Sequence, residues 1–152
     1  MAQPRKIFYT GNFAHTLDEK NRLTIPSAWR AAHAETDTFL AIPNEAGYIS
    51  VLPPGEAEKL YEKVAAVPLW EQKAQEQITA FFAKAQSFTF DKQGRVALSD
   101  SLLRHAGIEP GGGAVLGGSL SKFNIYSPKE WRNVGPKSAA ESPTNFLRQF
   151  GI

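Results

Sequence analysis

The sequence predicts an α+β, mainly β fold in which two β-β-α-β-β repeats form a pseudo-twofold barrel with additional helices. Three observations lead there. First, Phe13–Arg30 (FAHTLDEKNRLTIPSAWR) and Ser87–Arg104 (SFTFDKQGRVALSDSLLR) share an Asp-x-x-x-Arg core. Aligning the cores gives an offset of 73 residues and sets Asp18 on Asp91, Arg22 on Arg95, Leu23 on Val96 and Ile25 on Leu98. Second, the likeness resumes at Tyr48–Glu56 (YISVLPPGE) and Lys122–Glu130 (KFNIYSPKE), offset by 74. Third, one copy holds about four short strands and a short helix, too little to bury a stable core alone. Two copies in one chain share a core, each covering the other's open sheet.

The elements follow in order. Each copy opens with two short strands and a turn, read as a β-hairpin: Ala14–Leu17 with Leu23–Ile25, and Ser87–Phe90 with Val96–Leu98. Asp18 and Asp91 can close these turns by accepting backbone N–H bonds, and Asn21 and Gly94 sit where the chain needs a positive φ. Pro26 and Ser27 start a helix containing Ala28, Trp29, Ala31 and Ala32. Ser99 and Asp100 start its counterpart, with Leu102 and Leu103 facing inward and Gly107 as the stop. Two further strands complete each copy. They are Thr38–Ile42 and Tyr48–Leu52 about a turn at Asn44–Gly47, and Ala114–Leu116 and Phe123–Tyr126.

A long insertion follows the first copy alone. Residues 56–66 set Leu60, Tyr61 and Val64 on one helical face, and Pro68 breaks the pattern. From Trp70, the spacing of Ala74, Ile78, Phe81, Phe82 and Ala85 predicts a second amphipathic helix. After Trp131 the composition turns to Gly, Pro, Ser and Ala, which predicts a loose tail in which Phe146, Leu147 and Phe150 are apolar enough to dock. The chain divides into a first repeat at 7–55, a helical insertion at 56–86, a second repeat at 87–132 and a flexible tail at 133–152.

Composition narrows the functional classes. Of 152 residues, 42% are hydrophobic and 21% charged, an ordinary globular balance that excludes wholesale disorder. Cysteine is absent, which removes disulfides, thiolate nucleophiles and Cys-based zinc sites. No apolar run approaches the roughly 20 residues of a membrane span. No secretory signal follows the N-terminal MAQPRKIFYT, so a cytoplasmic protein is expected. The net charge is +2 and is unevenly spread. Residues 1–35 carry five basic and three acidic groups, residues 36–86 four and seven, and residues 87–152 eight and five. Basic ends around an acidic middle point to a polyanionic partner.

The run Gly11–Arg30 (GNFAHTLDEKNRLTIPSAWR), with FDKQGRVAL at Phe90–Leu98 and LRHAGI at Leu103–Ile108, resembles the MraZ family over most of the chain, from about Phe8 to Trp131. The resemblance implies a pair of AbrB-like swapped-hairpin units. It also implies a bacterial DNA-binding transcription regulator that forms ring-like homo-oligomers. Such a protein would act on repeated sites in the promoter of the division and cell-wall gene cluster and associate with the nucleoid. Asn21 stands where the family usually has Gly, a departure that costs a little strain.

The two turns supply the chemistry this function needs. Lys20, Arg22, Lys92 and Arg95 lie in or beside them, and Arg30 can add to the same face from the following helix. A basic hairpin tip can lie against phosphates or enter a major groove as a β-ribbon, and Arg suits either contact through bidentate bonds. Asp18, Asn21, Asp91 and Gly94 are assigned to turn structure. The competing structural reading pairs Asp18 with Arg22 and Asp91 with Arg95 across each turn, where surface ion pairs contribute about 0–1 kcal/mol.

Other signals fall away. Pro110–Gly113 and the pair Gly117 and Gly118 lack the Lys-Ser/Thr of a P-loop. Gly117–Ser121 (GGSLS) has Ser121 in place of the last Gly of a nucleophile elbow and lies between strands. His15, His33 and His105 show no metal-ligand spacing, and His105 reads as a capping or packing residue. Trp29, Trp70 and Trp131 read as core or interface anchors. No catalytic residue, cofactor, metal, membrane or small-molecule substrate is expected; the partners are double-stranded DNA and other copies of the chain. The alternative is an antitoxin-like interaction module of the same fold that binds a partner through its tail.

Overall fold

A computed structural model describes residues 6–139 and 143–152. The strands are β1 (Asn12–Thr16), β2 (Arg22–Thr24), β3 (Phe39–Asn44), β4 (Tyr48–Leu52), β5 (Gln86–Phe88), β6 (Arg95–Ala97), β7 (Gly113–Gly118) and β8 (Phe123–Tyr126). The helices are α1 (Ser27–Arg30), α2 (Pro54–Ala65), α3 (Gln72–Phe82), α4 (Asp100–Ala106), α5 (Pro128–Ala139) and α6 (Pro143–Arg148). The fold is mixed α and β, mainly β, as expected.

Six strands form one antiparallel sheet in the order β1-β7-β8-β4-β3-β5, and β2 and β6 form a separate two-stranded ribbon. Exchanging β1 with β5, β3 with β7 and β4 with β8 returns the same order read from the other end. The first strand of each copy therefore ladders with the other copy. Asn12–Thr16 runs against Gly113–Gly117, and Gln86–Phe88 against Phe39–Ala41. At the middle, β4 pairs with β8.

Two expectations are corrected by these pairings. The opening strands of a copy do not form a hairpin with each other. The turn closes, with the Asp18 N–H donating to the Arg22 carbonyl at 3.1 Å and the Asp91 N–H to the Arg95 carbonyl at 3.0 Å. Beyond it the strands part, one into the large sheet and one into the ribbon. Nor is the barrel closed: β1 and β5 are the two ends of an open sheet. A strand that leaves its own turn to join the other copy's sheet has no neighbour left on its outer side.

The core lies between the sheet and the ribbon and draws on both copies. Tyr9, Leu23, Ile25, Trp29 and Phe39 come from the first, and Leu102, Leu116, Phe123 and Ile125 from the second. Trp29 joins them. Its ring lies 5.0 Å from that of Phe123, 5.2 Å from Phe13 and 5.7 Å from Tyr9, and its Nε1–H donates to the Thr10 carbonyl at 3.1 Å. Tyr9 anchors the chain ahead of β1 through paired backbone bonds with Leu120. Its hydroxyl meets His33 Nε2, and His33 Nδ1 meets Asp37 at 2.8 Å. Burial, reinforced by the Asp37 charge, pushes the Tyr9 phenol far up from its ordinary value.

Helix α4 begins and ends as its sequence predicts. The Ser99 hydroxyl accepts the Leu102 N–H at 3.2 Å, and Gly107 terminates the helix at φ 67°. His105 reaches the Asn44 carbonyl at 2.6 Å and ties α4 to the turn between β3 and β4. Trp29 is core, whereas Trp70 is 83% exposed.

The helices after each copy correct a third expectation. Helix α2 starts at Pro54 directly after β4, and α5 starts at Pro128 directly after β8. Both are 12 residues long; α2 lies on β3 and β4, and α5 on β7 and β8. Each is followed by a further helix, α3 or α6. A helical extension thus follows both copies, and helix occupies much of what composition read as a loose tail. Gly and Pro counts after Trp131 hid it: Pro143 stands at a helix start, where Pro is tolerated, and Gly135 and Pro136 lie within α5 despite their low helix propensity. Among the described residues no helix is long and apolar enough to cross a membrane.

The aromatic junction yields a stability prediction. Trp29→Ala removes a buried indole from the seam between copies and lowers unfolding free energy by about 3–5 kcal/mol. Chemical denaturation followed by far-UV circular dichroism measures it, and one cooperative transition is expected, because the two copies share one core.

Candidate nucleic-acid interface

The ribbon and its two turns bring the predicted site residues together. Arg22 pairs with Ala97, Leu23 with Val96 and Thr24 with Arg95. Alternation along a strand then sends Leu23 and Val96 into the core and leaves Arg22, Thr24, Arg95 and Ala97 on one outer face. Arg22 and Arg95 are therefore neighbours on a common surface, with side chains 30% and 25% exposed.

Each arginine is anchored by the aspartate that opens its own turn. Asp18 Oδ1 accepts the N–H groups of Lys20 at 2.9 Å and Arg22 at 2.8 Å, and its Oδ2 accepts Arg22 Nε–H at 2.6 Å. Asp91 repeats the arrangement, with Gln93 N–H at 2.9 Å, Arg95 N–H at 2.8 Å and Arg95 Nε–H at 2.9 Å. The turns also touch. Arg95 Nη1 lies 3.6 Å from Asp18 Oδ2, so both guanidinium groups meet at one carboxylate oxygen. That shared negative charge offsets the repulsion between two adjacent cations.

The structural role assigned to the aspartates and the cross-turn pairs are therefore both present, and binding through Nε leaves the far edge of Arg22 free for another acceptor. The backbone bond from Arg22, against a desolvation penalty, and then its side-chain bond hold the Asp18 carboxyl below its usual range. For Asp91 desolvation works upward, but the bonds from Arg95 and Gln93 outweigh it and the net direction is down.

Asn21 and Gly94 both take the left-handed conformation, at φ 57° and 75°. They are not interchangeable. A Cβ at Gly94 would collide with the Arg30 guanidinium, which lies over this turn while Arg30 Nε–H donates to the Ile25 carbonyl at 2.8 Å. The position in the second copy that matches Arg30 is Leu103, which is buried and carries no guanidinium to lie over Asn21. Asn21 instead uses its side chain, accepting the Gly111 N–H at 3.3 Å. Arg30 is thus brought to the site but spans the two copies, a role the sequence reading missed. Thr24 was missed as well, although strict alternation from Arg22 marks it as outward-facing. Lys20 and Lys92 are exposed at the turns, and neither forms an ion pair among the described residues.

The turn geometry makes stability testable at two points. Gly94→Ala costs about 1–2 kcal/mol of stability through its backbone conformation alone and also displaces Arg30, whereas Asn21→Gly stays within a few tenths of a kcal/mol. Thermal unfolding of the two variants checks the contrast. Asp18 and Asp91 bind protons more weakly folded than unfolded, so their stabilisation is complete above the ordinary carboxylate range and is lost as pH falls through their lowered values. Acid titration should show a smaller loss of stability below about pH 4 in the Asp18→Asn/Asp91→Asn variant than in the parent protein.

Comparison with known proteins identifies the family. A family model described as "MraZ protein, putative antitoxin-like" matches residues 81–150. A protein named transcriptional regulator MraZ from Desulfitobacterium hafniense is 34% identical over 143 residues, covering 90% of this chain and 97% of its own. Its namesake from Clostridium acetobutylicum is 32% identical over 123 residues, covering 81% and 84%. That from Roseiflexus castenholzii is 31% identical over 129 residues, covering 83% and 85%. With identity at this level along most of both chains, the chain belongs to the MraZ family.

Proposed function

We propose that this protein is a DNA-binding transcriptional regulator whose paired turns contact duplex DNA. One observation carries the reading: Arg22 and Arg95, from different copies, lie side by side on the outer face of one ribbon, anchored through Nε to fixed carboxylates. Lys20 and Lys92 flank them and are exposed. The relatives bear the name transcriptional regulator, a class of binding protein rather than enzyme. The self-mapping strand order supports reading each copy as an AbrB-like swapped-hairpin unit.

In this reading the lysines supply electrostatic attraction to phosphates. The arginines, held before binding, meet a phosphate or a base edge with little further loss of conformational freedom. A ribbon of this width fits a major groove. The target is repeated sites in the promoter of the division and cell-wall gene cluster, in the cytoplasm and nucleoid. Association of several chains into a ring makes each further contact intramolecular and compensates for a small footprint per chain. The four segments 7–55, 56–86, 87–132 and 133–152 serve as first repeat, helical insertion, second repeat and tail.

Titration of labelled promoter DNA at several salt concentrations tests the proposal. Affinity should fall with salt, and Lys20→Ala/Lys92→Ala should flatten the slope of log K against log salt by about 0.9 for each phosphate no longer neutralised. Arg22→Ala should weaken binding further while far-UV circular dichroism stays unchanged. Affinity and salt slope equal to the parent protein in both variants would refute the assignment.

A further inference from the structure

A second surface lies at one end of the large sheet. Helix α2 stands against β3 and β4 and α3 walls the same groove, yet neither helix contains a single buried residue. Between them and the strand runs a groove of about 950 Å³. Its walls include Leu40, Leu60, Val64, Leu69, Ile78 and Phe82. On the same helical unit, Tyr61 is 71% exposed and Leu69 82%. So much unpaired apolar surface on a folded chain marks an interaction site.

The segment after the second copy carries a candidate occupant. Helix α6 and the residues after it display Phe146, Leu147, Phe150 and Ile152, every one exposed. Backbone bonds define how the helix ends. Gly151 takes φ 76°, the Ile152 N–H donates to the Leu147 carbonyl at 3.2 Å, and the Gly151 N–H donates to the Arg148 carbonyl at 3.1 Å. These bonds form a Schellman motif, which brings the side chains of Leu147 and Ile152 to one side. Phe146, Leu147 and Phe150 complete a short apolar face of the kind that enters a groove.

Charge adds direction. The groove's charged lining residues are Asp37 and Glu58, both acidic. The segment 143–152 carries one charged side chain, Arg148. Among the described residues, none lining the groove comes from α5 or α6. The strand order sets the α2 and α5 units at equivalent, opposite places in the sheet.

We infer that α6 of one copy docks in the α2–α3–β3 groove of the next, with Arg148 facing Asp37 and Glu58. The contact joins two unlike surfaces of the chain, so each copy can receive one neighbour and enter another. Such head-to-tail contacts build rings when the rotation closes and filaments when it does not. The inference rests on the homo-oligomer reading above and names the surface responsible.

The cysteine-free sequence permits a direct test. Two full-length variants, Val64→Cys in the groove and Phe150→Cys beside α6, are mixed and oxidised. The expected product is a covalent dimer of one chain of each kind, formed at least tenfold faster than either variant dimerises alone. In parallel, light scattering after gel filtration compares the parent protein with Phe146→Asp/Phe150→Asp, which alters exposed residues outside the core. The expected result is assembly by the parent and loss of assembly by the variant. A parent that assembles beside a variant that assembles equally would overturn this inference and leave the oligomer reading standing. A monomeric parent would overturn both. A third protein carries both changes, Val64→Cys/Phe150→Cys; a disulfide forming within one chain of it, and not between chains, would show α6 closing on its own groove and would also overturn the inference.

Discussion

Everything in this molecule depends on an exchange of strands between its two halves. A copy of about fifty residues has no way to cover its own first strand, and each half solves this with the other's. β1 completes the sheet edge beside β7, and β5 completes the one beside β3. The consequence is local as well as global. Because the strand after each turn cannot follow the strand before it, β2 and β6 are left to pair with each other. The ribbon is thus a by-product of the exchange, and it sets two arginine turns at one spot that neither copy could make alone.

The same carboxylates that hold those turns also shape their electrostatics. Asp18 and Asp91 neutralise part of the arginine charge, which weakens long-range attraction to a polyanion. In return they fix the guanidinium groups, whose side chains otherwise carry about 2 kcal/mol of rotamer entropy. The exposed lysines divide the labour: they carry unneutralised charge, while the arginines carry geometry. Arg30 belongs to neither class. Lying over Gly94, it locks the second turn to the helix of the first copy, while its counterpart Leu103 is buried in the core.

Much of this was legible in the residues. The Asp-x-x-x-Arg repeat located both turns. Asn21 and Gly94 were placed at positive φ, and Ser99 and Gly107 bounded α4 correctly. What escaped was pairing. Alternation within Ala14–Leu17 states that a strand exists and is silent about its neighbour, so a hairpin was the local default. The choice of partner is settled by long-range burial, as where Phe88 of β5 stacks on Phe39 of β3. The helix after the second copy escaped for another reason. Its Gly and Pro content lowers helix propensity, and the docking of α5 on β7 and β8 overrides that preference. The bridging role of Arg30 left one trace, the asymmetry between Asn21 and Gly94 at otherwise matched positions.

The central claim is that the two turns together face DNA, and the absence of cysteine makes it directly measurable. Glu19→Cys and Gln93→Cys, one in each turn and both exposed, can each carry a tethered iron chelate that cuts nearby DNA. The account predicts cleavage from both positions, clustered within a few base pairs of one another at every bound site. Cleavage from a chelate on α2 or α3, with none from either turn, would contradict it.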